Sequence, residues 1–353
     1  MQSLQSYKIM DEKELKKRIA DIRARYKNRL LILAHCYQQD EIVECADFVG
    51  DSYALAMQAS KNRDAELIVF CGVKFMAEAA AILAGNNRKV FMPDLDAGCP
   101  LADCADIDQV EAAWNTLKKL DISKDVVPIT YMNSSAELKA FCGKNGGIVC
   151  TSSNAKAAMN WSLSQKQKLF FFPDENLGRN TARAGNINVS DIVLWDPLKN
   201  HGGCGEKDLA NARVILWKGF CHVHTFFTVD HIKSAREKYP ECLIAVHPEC
   251  NEDVVMLSDA NGSTSFLKKY VEDAPSGKTI IIGTEINMAH RLGKENPDKN
   301  VLPLARSLCP NMFKTSISDL CYVLDNFPVD NEISVPQYIA DDARLALERM
   351  LNI

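Results

Sequence analysis

The chain has 353 residues, 47% of them hydrophobic and 25% charged, a balance that suits a globular protein with room for two or three units of domain size. Lysine and arginine number 41 against 46 aspartate and glutamate, a net charge of -5 with no basic stripe, so a nucleic-acid surface is excluded. No apolar run approaches the roughly 20 residues that cross a bilayer, and no membrane partner is expected.

The first predicted element is a charged amphipathic helix near the N-terminus, opened by Asp11 with Glu14 three residues on, in the manner of a capping box. Its acidic residues argue against a transit peptide, and no apolar leader core is present, so a cytoplasmic protein is expected. An apolar run then closes on polar groups at Leu30 to Tyr37 (LLILAHCY). A helix-like stretch opens at Ser52 (GDSYALAM), a second strand and helix follow (LIVFCGVKFMAEAA), and the segment ends at Cys99. The same order recurs from Val126 to Asn133 (VVPITYMN), through Ser152 (CTSSNAKAAM) and LFFFPDENLGRNTA, to Cys221. It recurs again from Cys242 to Glu249 (CLIAVHPE), through Ser263 and Thr264 (GSTSFLKKY) and TIIIGTEINMAHRL, to Cys309. A terminal helix follows Pro336.

Short, continuous apolar strands alternating with helices indicate parallel α/β units with both sheet faces covered. The expected fold is three similar αβα sandwich units with parallel sheets around a pseudo-threefold axis. They are placed at 1–115 with the N-terminal helix, 116–235 with an insertion, and 236–353 with the C-terminal helix. From His35 to Cys99 the chain runs 64 residues, from His247 to Cys309 62, and from Tyr131 to Cys221 90. The middle unit's extra length falls within Thr181 to Asp208, whose Asn, Gly and Asp content is that of a loop serving as a lid or an interface.

Ligands of parallel α/β sheets gather beyond the carboxyl ends of the strands. His35, Tyr37, Tyr131, Asn133, His247 and Glu249 all fall there, together with Cys99, Cys221 and Cys309. Helix openings present free N–H groups that hold phosphate or carboxylate, although a lone Ser is fully explained as an N-cap. Neither a Walker nor a G-x-G-x-x-G pattern is present. The thirteen cysteines are odd in number and include no C-x-x-C pair, so reduced thiols or a metal site are preferred to disulfides. Cys71, Cys142, Cys150 and Cys242 lie in or beside apolar runs and read as core. Three converging thiolates admit zinc, completed by His222 or His224, or a [4Fe–4S] cluster with one iron open. Wide spacing favours the cluster, because small structural zinc sites use local ligand pairs.

These residues resemble the quinolinate synthase family, the A protein of NAD biosynthesis. The resemblance covers nearly the whole chain. It rests on A-H-C-Y-Q (Ala34 to Gln38), G-D-S (Gly50 to Ser52), M-P-D-L-D-A-G-C (Met92 to Cys99), Y-x-N-S-S-A-E-x-K (Tyr131 to Lys139), T-S-S-N-A (Thr151 to Ala155), W-x-G-x-C-x-V-H (Trp217 to His224), V-H-P-E-C (Val246 to Cys250) and G-S-T-S (Gly262 to Ser265). It implies condensation of iminoaspartate with dihydroxyacetone phosphate to quinolinate, with loss of phosphate and two waters, the iminoaspartate coming from an L-aspartate oxidase or dehydrogenase. It implies a [4Fe–4S] cluster on Cys99, Cys221 and Cys309. Substrate contacts carry over to His35, Ser52, Tyr131, Asn133, Ser152, His247, Glu249, Ser263 and Thr264. Tyr37 and Glu249 resemble the acid/base pair, with His35 and His247 beside them.

Two positions depart from the family pattern. Position 36 is Cys, which puts a thiol near the site and raises the prospect of oxidation. Position 312 is Met, so the C-x-x-C that some relatives carry after the third ligand is missing. Two rival readings are another three-cysteine cluster enzyme, of the diphthamide or isoprenoid-reductase kind, and a metal-free binding protein of the same fold.

Overall fold

The computed structural model describes residues 3–353 and resolves three parallel sheets. The first contains β1 (Leu30–His35), β2 (Phe48–Gly50), β3 (Leu67–Cys71) and β4 (Lys89–Phe91) in the order β2-β1-β3-β4. The second contains β5 (Val126–Tyr131), β6 (Ile148–Cys150), β7 (Lys168–Phe172), β8 (Ile192–Trp195) and β9 (Val214–Trp217) in the order β6-β5-β7-β9-β8. The third contains β10 (Leu243–Val246), β11 (Ala260–Asn261), β12 (Thr279–Gly283) and β13 (Asn300–Pro303) in the order β11-β10-β12-β13. Apart from β8, the three sheets share one topology, as the sequence repeat requires.

Every residue of β1 and β5 is buried, the signature of strands covered on both faces. In each unit the first strand lies between the second and the third. The chain therefore leaves it in opposite directions, and its carboxyl end sits at a topological switch point. His35 ends β1, Tyr131 ends β5 and His247 follows β10.

The stretch from 181 to 208 is resolved as structure rather than as a long loop. It begins in the last turns of the Glu175–Ala184 helix and then forms β8, which extends the middle sheet by pairing in parallel outside β9. None of its residues lines the central cavity described below.

The outer helices tie the units together. The Glu12–Tyr26 helix starts where its cap signal places it, with Asp11 Oδ1 accepting from the Glu14 N–H at 2.8 Å. Its Leu15, Ile19 and Ile22 share an apolar cluster with β1, β3 and the Ile317–Asn326 helix, which returns from the far end of the chain. The terminal helix Gln337–Leu351 packs on the Ala136–Lys144 helix and β6 of the middle sheet. The two backbones meet so closely at Gly143 that a Cβ there would fall 1.8 Å from the Asp342 carbonyl oxygen.

Candidate active site

The carboxyl ends of the first strands surround one central cavity. Cys99 reaches it after β4, Cys221 after β9 and Cys309 after β13. His35, Tyr37, Ser52, Tyr131, Asn133, Ser152, His247, Glu249 and Thr264 line the same cavity. Of the residues singled out from sequence, Ser263 is not in its lining. It caps the Thr264–Asp273 helix instead, its Oγ accepting from the Phe266 N–H at 3.3 Å.

The three thiols come from three units, and no other cysteine among the described residues lines this cavity. Burial pushes the Cys99 thiol up to about 12 and raises those of Cys221 and Cys309. Without a cation these sulfurs stay protonated, so thiolates here require a bound metal centre to compensate them. The donor set fits a group that takes three sulfurs. Asn133 adds a contact from its side-chain amide to Cys99 Sγ at 3.9 Å. Cys104, five residues beyond Cys99, turns away and donates to the Pro100 carbonyl.

Glu249 is the hub of a buried polar network. The Tyr131 hydroxyl donates to its Oε1 at 2.5 Å, and His224 Nδ1 lies 2.9 Å from Oε2. His224 Nε2 continues to Thr284 Oγ1 at 3.1 Å, and Thr284 meets the Tyr37 hydroxyl at 2.7 Å. The His224 and His247 rings stack with centroids 4.2 Å apart. Burial alone would raise the Glu249 carboxyl, but the neighbouring His224 and His247 rings and the donors from His224 and Tyr131 hold it below the usual carboxylate range. Burial drives His35 down to about 4 and His247 down to about 3, so both rings are neutral near pH 7. Burial also raises the Tyr37 and Tyr131 phenols well above their ordinary value, which keeps their protons on.

Further lining comes from chain segments that open helices. Asp51 caps the Ser52–Lys61 helix through the Ala54 N–H, at 2.8 Å. Its other oxygen accepts from Ser153 Oγ at 2.6 Å and Ser265 Oγ at 2.7 Å, tying together segments of all three units. Ser152 lies in a turn before the Ala155–Gln165 helix, 3.3 Å from His247 Nε2 through its hydroxyl. The Thr264 hydroxyl is buried with no hydrogen-bond partner among the described residues. Such an orphan, beside free helix N–H groups, suits an anionic ligand.

Asp51 and Thr284 carry no role in the reading of the sequence, and His224 figures there only as a metal ligand. The signal for His224 was its place three residues after Cys221 in W-x-G-x-C-x-V-H. The short His222–Thr225 helix turns it inward. Cys36 does not line the central cavity but an adjoining one. Burial pushes its thiol up to about 12, which suppresses the reactive thiolate.

Three parallel α/β units sharing one thiol-lined cavity with a buried carboxylate define a multi-unit α/β enzyme whose site has the donors to hold a metal. The chain matches the family model described as Quinolinate synthetase A protein over residues 17–352. It belongs to the quinolinate synthetase A protein family. It is 44% identical to the quinolinate synthase of Corynebacterium glutamicum over 99% of this chain and 90% of that protein. The Bacillus subtilis quinolinate synthase is 44% identical over 99% of this chain and 96% of its own length. The Nocardioides quinolinate synthase is 46% identical over 92% and 86%. Among the described residues no helix is long and apolar enough to cross a membrane.

Proposed function

We propose that the chain condenses iminoaspartate with dihydroxyacetone phosphate to quinolinate, releasing phosphate and two waters, as a cytoplasmic step of NAD biosynthesis fed by an L-aspartate oxidase or dehydrogenase. The observation that carries the reading is the shared cavity: Cys99, Cys221 and Cys309 face the same space as Glu249, Tyr37 and the helix openings. The three sulfurs would hold a [4Fe–4S] cluster. When bound, such a cluster has one iron free of protein sulfur, which supplies Lewis acidity for departure of a hydroxyl as water.

The protein's own groups divide the remaining work. Glu249, ionised near neutral pH, takes a carbon-bound proton, while Tyr131 and His224 fix its two oxygens. Tyr37 keeps its proton until one is needed and passes it along Thr284 and His224. Neutral His35 and His247 orient substrate by hydrogen bonding without adding charge. Ser52, Ser152 and Thr264 mark the helix openings that would hold phosphate and carboxylate, with Ser263 capping the helix that begins at Thr264. Asn133 stands beside Cys99, and Tyr131 beside Glu249, where both would contact substrate.

A second reading of the metal has its own observation. Ligand atoms of Cys221, His224 and Glu249 lie within 4.8 Å of one another, a mixed sulfur, nitrogen and oxygen set that suits zinc. Anaerobic purification with iron, sulfide and zinc analysis separates the two. Conversion of the two named substrates to quinolinate tests the reaction: iron, sulfide and product together support it, and a zinc-only or product-free protein overturns it.

A further inference from the structure

Two side chains outside the central cavity hold equivalent loops in different units. Asn180 lies on the Glu175–Ala184 helix, which follows β7, and is 6% exposed. Its Nδ2 donates to the Pro248 carbonyl at 2.8 Å and the Cys250 carbonyl at 2.9 Å. Those carbonyls flank Glu249 in the loop after β10. Arg291 lies on the Ile286–Glu295 helix, which follows β12. Its Nη1 donates to the Cys36 carbonyl at 2.8 Å and its Nη2 to the Gln38 carbonyl, and these flank Tyr37 in the loop after β1.

The correspondence extends further. Each clamp sits at the same step of its helix, counted from the caps Asp174 and Glu285. The two loops also share an internal turn: the Tyr37 N–H donates to His35 Nδ1 at 3.2 Å, and the Glu249 N–H donates to His247 Nδ1 at 3.3 Å. In both cases the clamp comes from the preceding unit in the cycle, second to third and third to first. The first unit reaches the second in the same sense, with Glu78 Oε2 accepting from the Ala136 N–H at 3.2 Å.

Fixing the carbonyls on both sides of one residue fixes its Cα–Cβ direction. An amide group has two hydrogens to give, and Asn180 gives each to one carbonyl. We propose that Asn180 and Arg291 are positioning residues. Each grips, from a neighbouring unit, the backbone around one acid/base group, so that the alignment of Glu249 with Tyr37 depends on how the units are docked. This inference rests on the reading of Tyr37 and Glu249 as the acid/base pair.

The test uses the full-length, cluster-loaded protein as Asn180→Ala, Arg291→Ala, Arg291→Lys and Glu249→Gln, with kcat and KM measured per folded chain. Hydrogen exchange by mass spectrometry supplies a readout independent of activity. The expected result is a kcat loss of about 10- to 100-fold in both alanine variants, with KM nearly unchanged. Exchange should accelerate selectively at residues 247–251 in Asn180→Ala and at 35–39 in Arg291→Ala. Added guanidinium, or Arg291→Lys, should restore part of the lost kcat. Wild-type kcat and exchange in both alanine variants would overturn the inference, as would exchange accelerated uniformly along the chain. A fully active Glu249→Gln would instead remove the acid/base reading, whatever Asn180 and Arg291 do.

Discussion

Glu249 is buried with both oxygens engaged, and its worth lies in being charged where water is scarce. Glu249→Gln keeps the shape while removing the basic carboxylate and exchanging one of its two acceptor oxygens for an NH2 group. Turnover is expected to fall about 10²- to 10⁴-fold with iron content unchanged; wild-type turnover would exclude the residue as base. Thr264 offers a complementary case, since no hydrogen bond of normal geometry satisfies its buried hydroxyl among the described residues. Thr264→Val should raise KM for the phosphate-bearing substrate about tenfold and leave kcat close to wild type, as expected for loss of one hydrogen bond made equally before and during reaction. His35 sets a pH dependence. Its folded value of about 4 lies below the ordinary 6.5, so between those values the unfolded chain binds the proton more readily. Stability from this group is therefore full above pH 6.5 and is lost as pH falls towards 4. His35→Gln should flatten the decline of Tm over that window, and an unchanged slope would show that another group governs it.

The strands and their carboxyl ends were legible as elements because the apolar runs are short, continuous and repeated, and because polar residues stand where each run stops. The helix starts were legible where a capping side chain or a proline follows local rules, Asp11 being the first kind and Pro336 the second. Ser263 shows the limit: the same residue type serves a cap or a ligand, and only the packed geometry decides which it does. The segment from 181 to 208 read as a loop because its Gly and Asn content masks the four residues that pair with β9. Side-chain to backbone hydrogen bonds between units were not legible. Asn180 and the carbonyls beside Glu249 meet only because two units dock, and backbone acceptors leave no mark on residue type. The terminal helix, grouped with the third unit in the sequence reading, packs on the Ala136–Lys144 helix and β6 and also on the Lys74–Ala84 helix. Gly143→Ala tests that contact, since a methyl cannot occupy the space taken by the Asp342 carbonyl. A loss of about 2 kcal/mol or more in unfolding free energy is expected by denaturant titration, whereas a loss below about 0.5 would mean that the two helices separate without cost.

At the scale of the molecule, the repeat creates a place that no single unit contains. Each unit supplies one thiol, one strand end and one helix opening, and the shared space appears only when all three are docked. The outer helices reinforce that docking, because the Ile317–Asn326 and Gln337–Leu351 helices cover sheets other than the nearest in sequence. The cavity's chemistry is therefore coupled to assembly of the whole chain. The most direct measurement is iron and sulfide content of anaerobically purified Cys99→Ser, Cys221→Ser and Cys309→Ser proteins beside the unaltered chain. A cluster shared by the three units predicts that each substitution alone depletes both elements while Cys104→Ser leaves them intact; full iron and sulfide in any one of the three would contradict it.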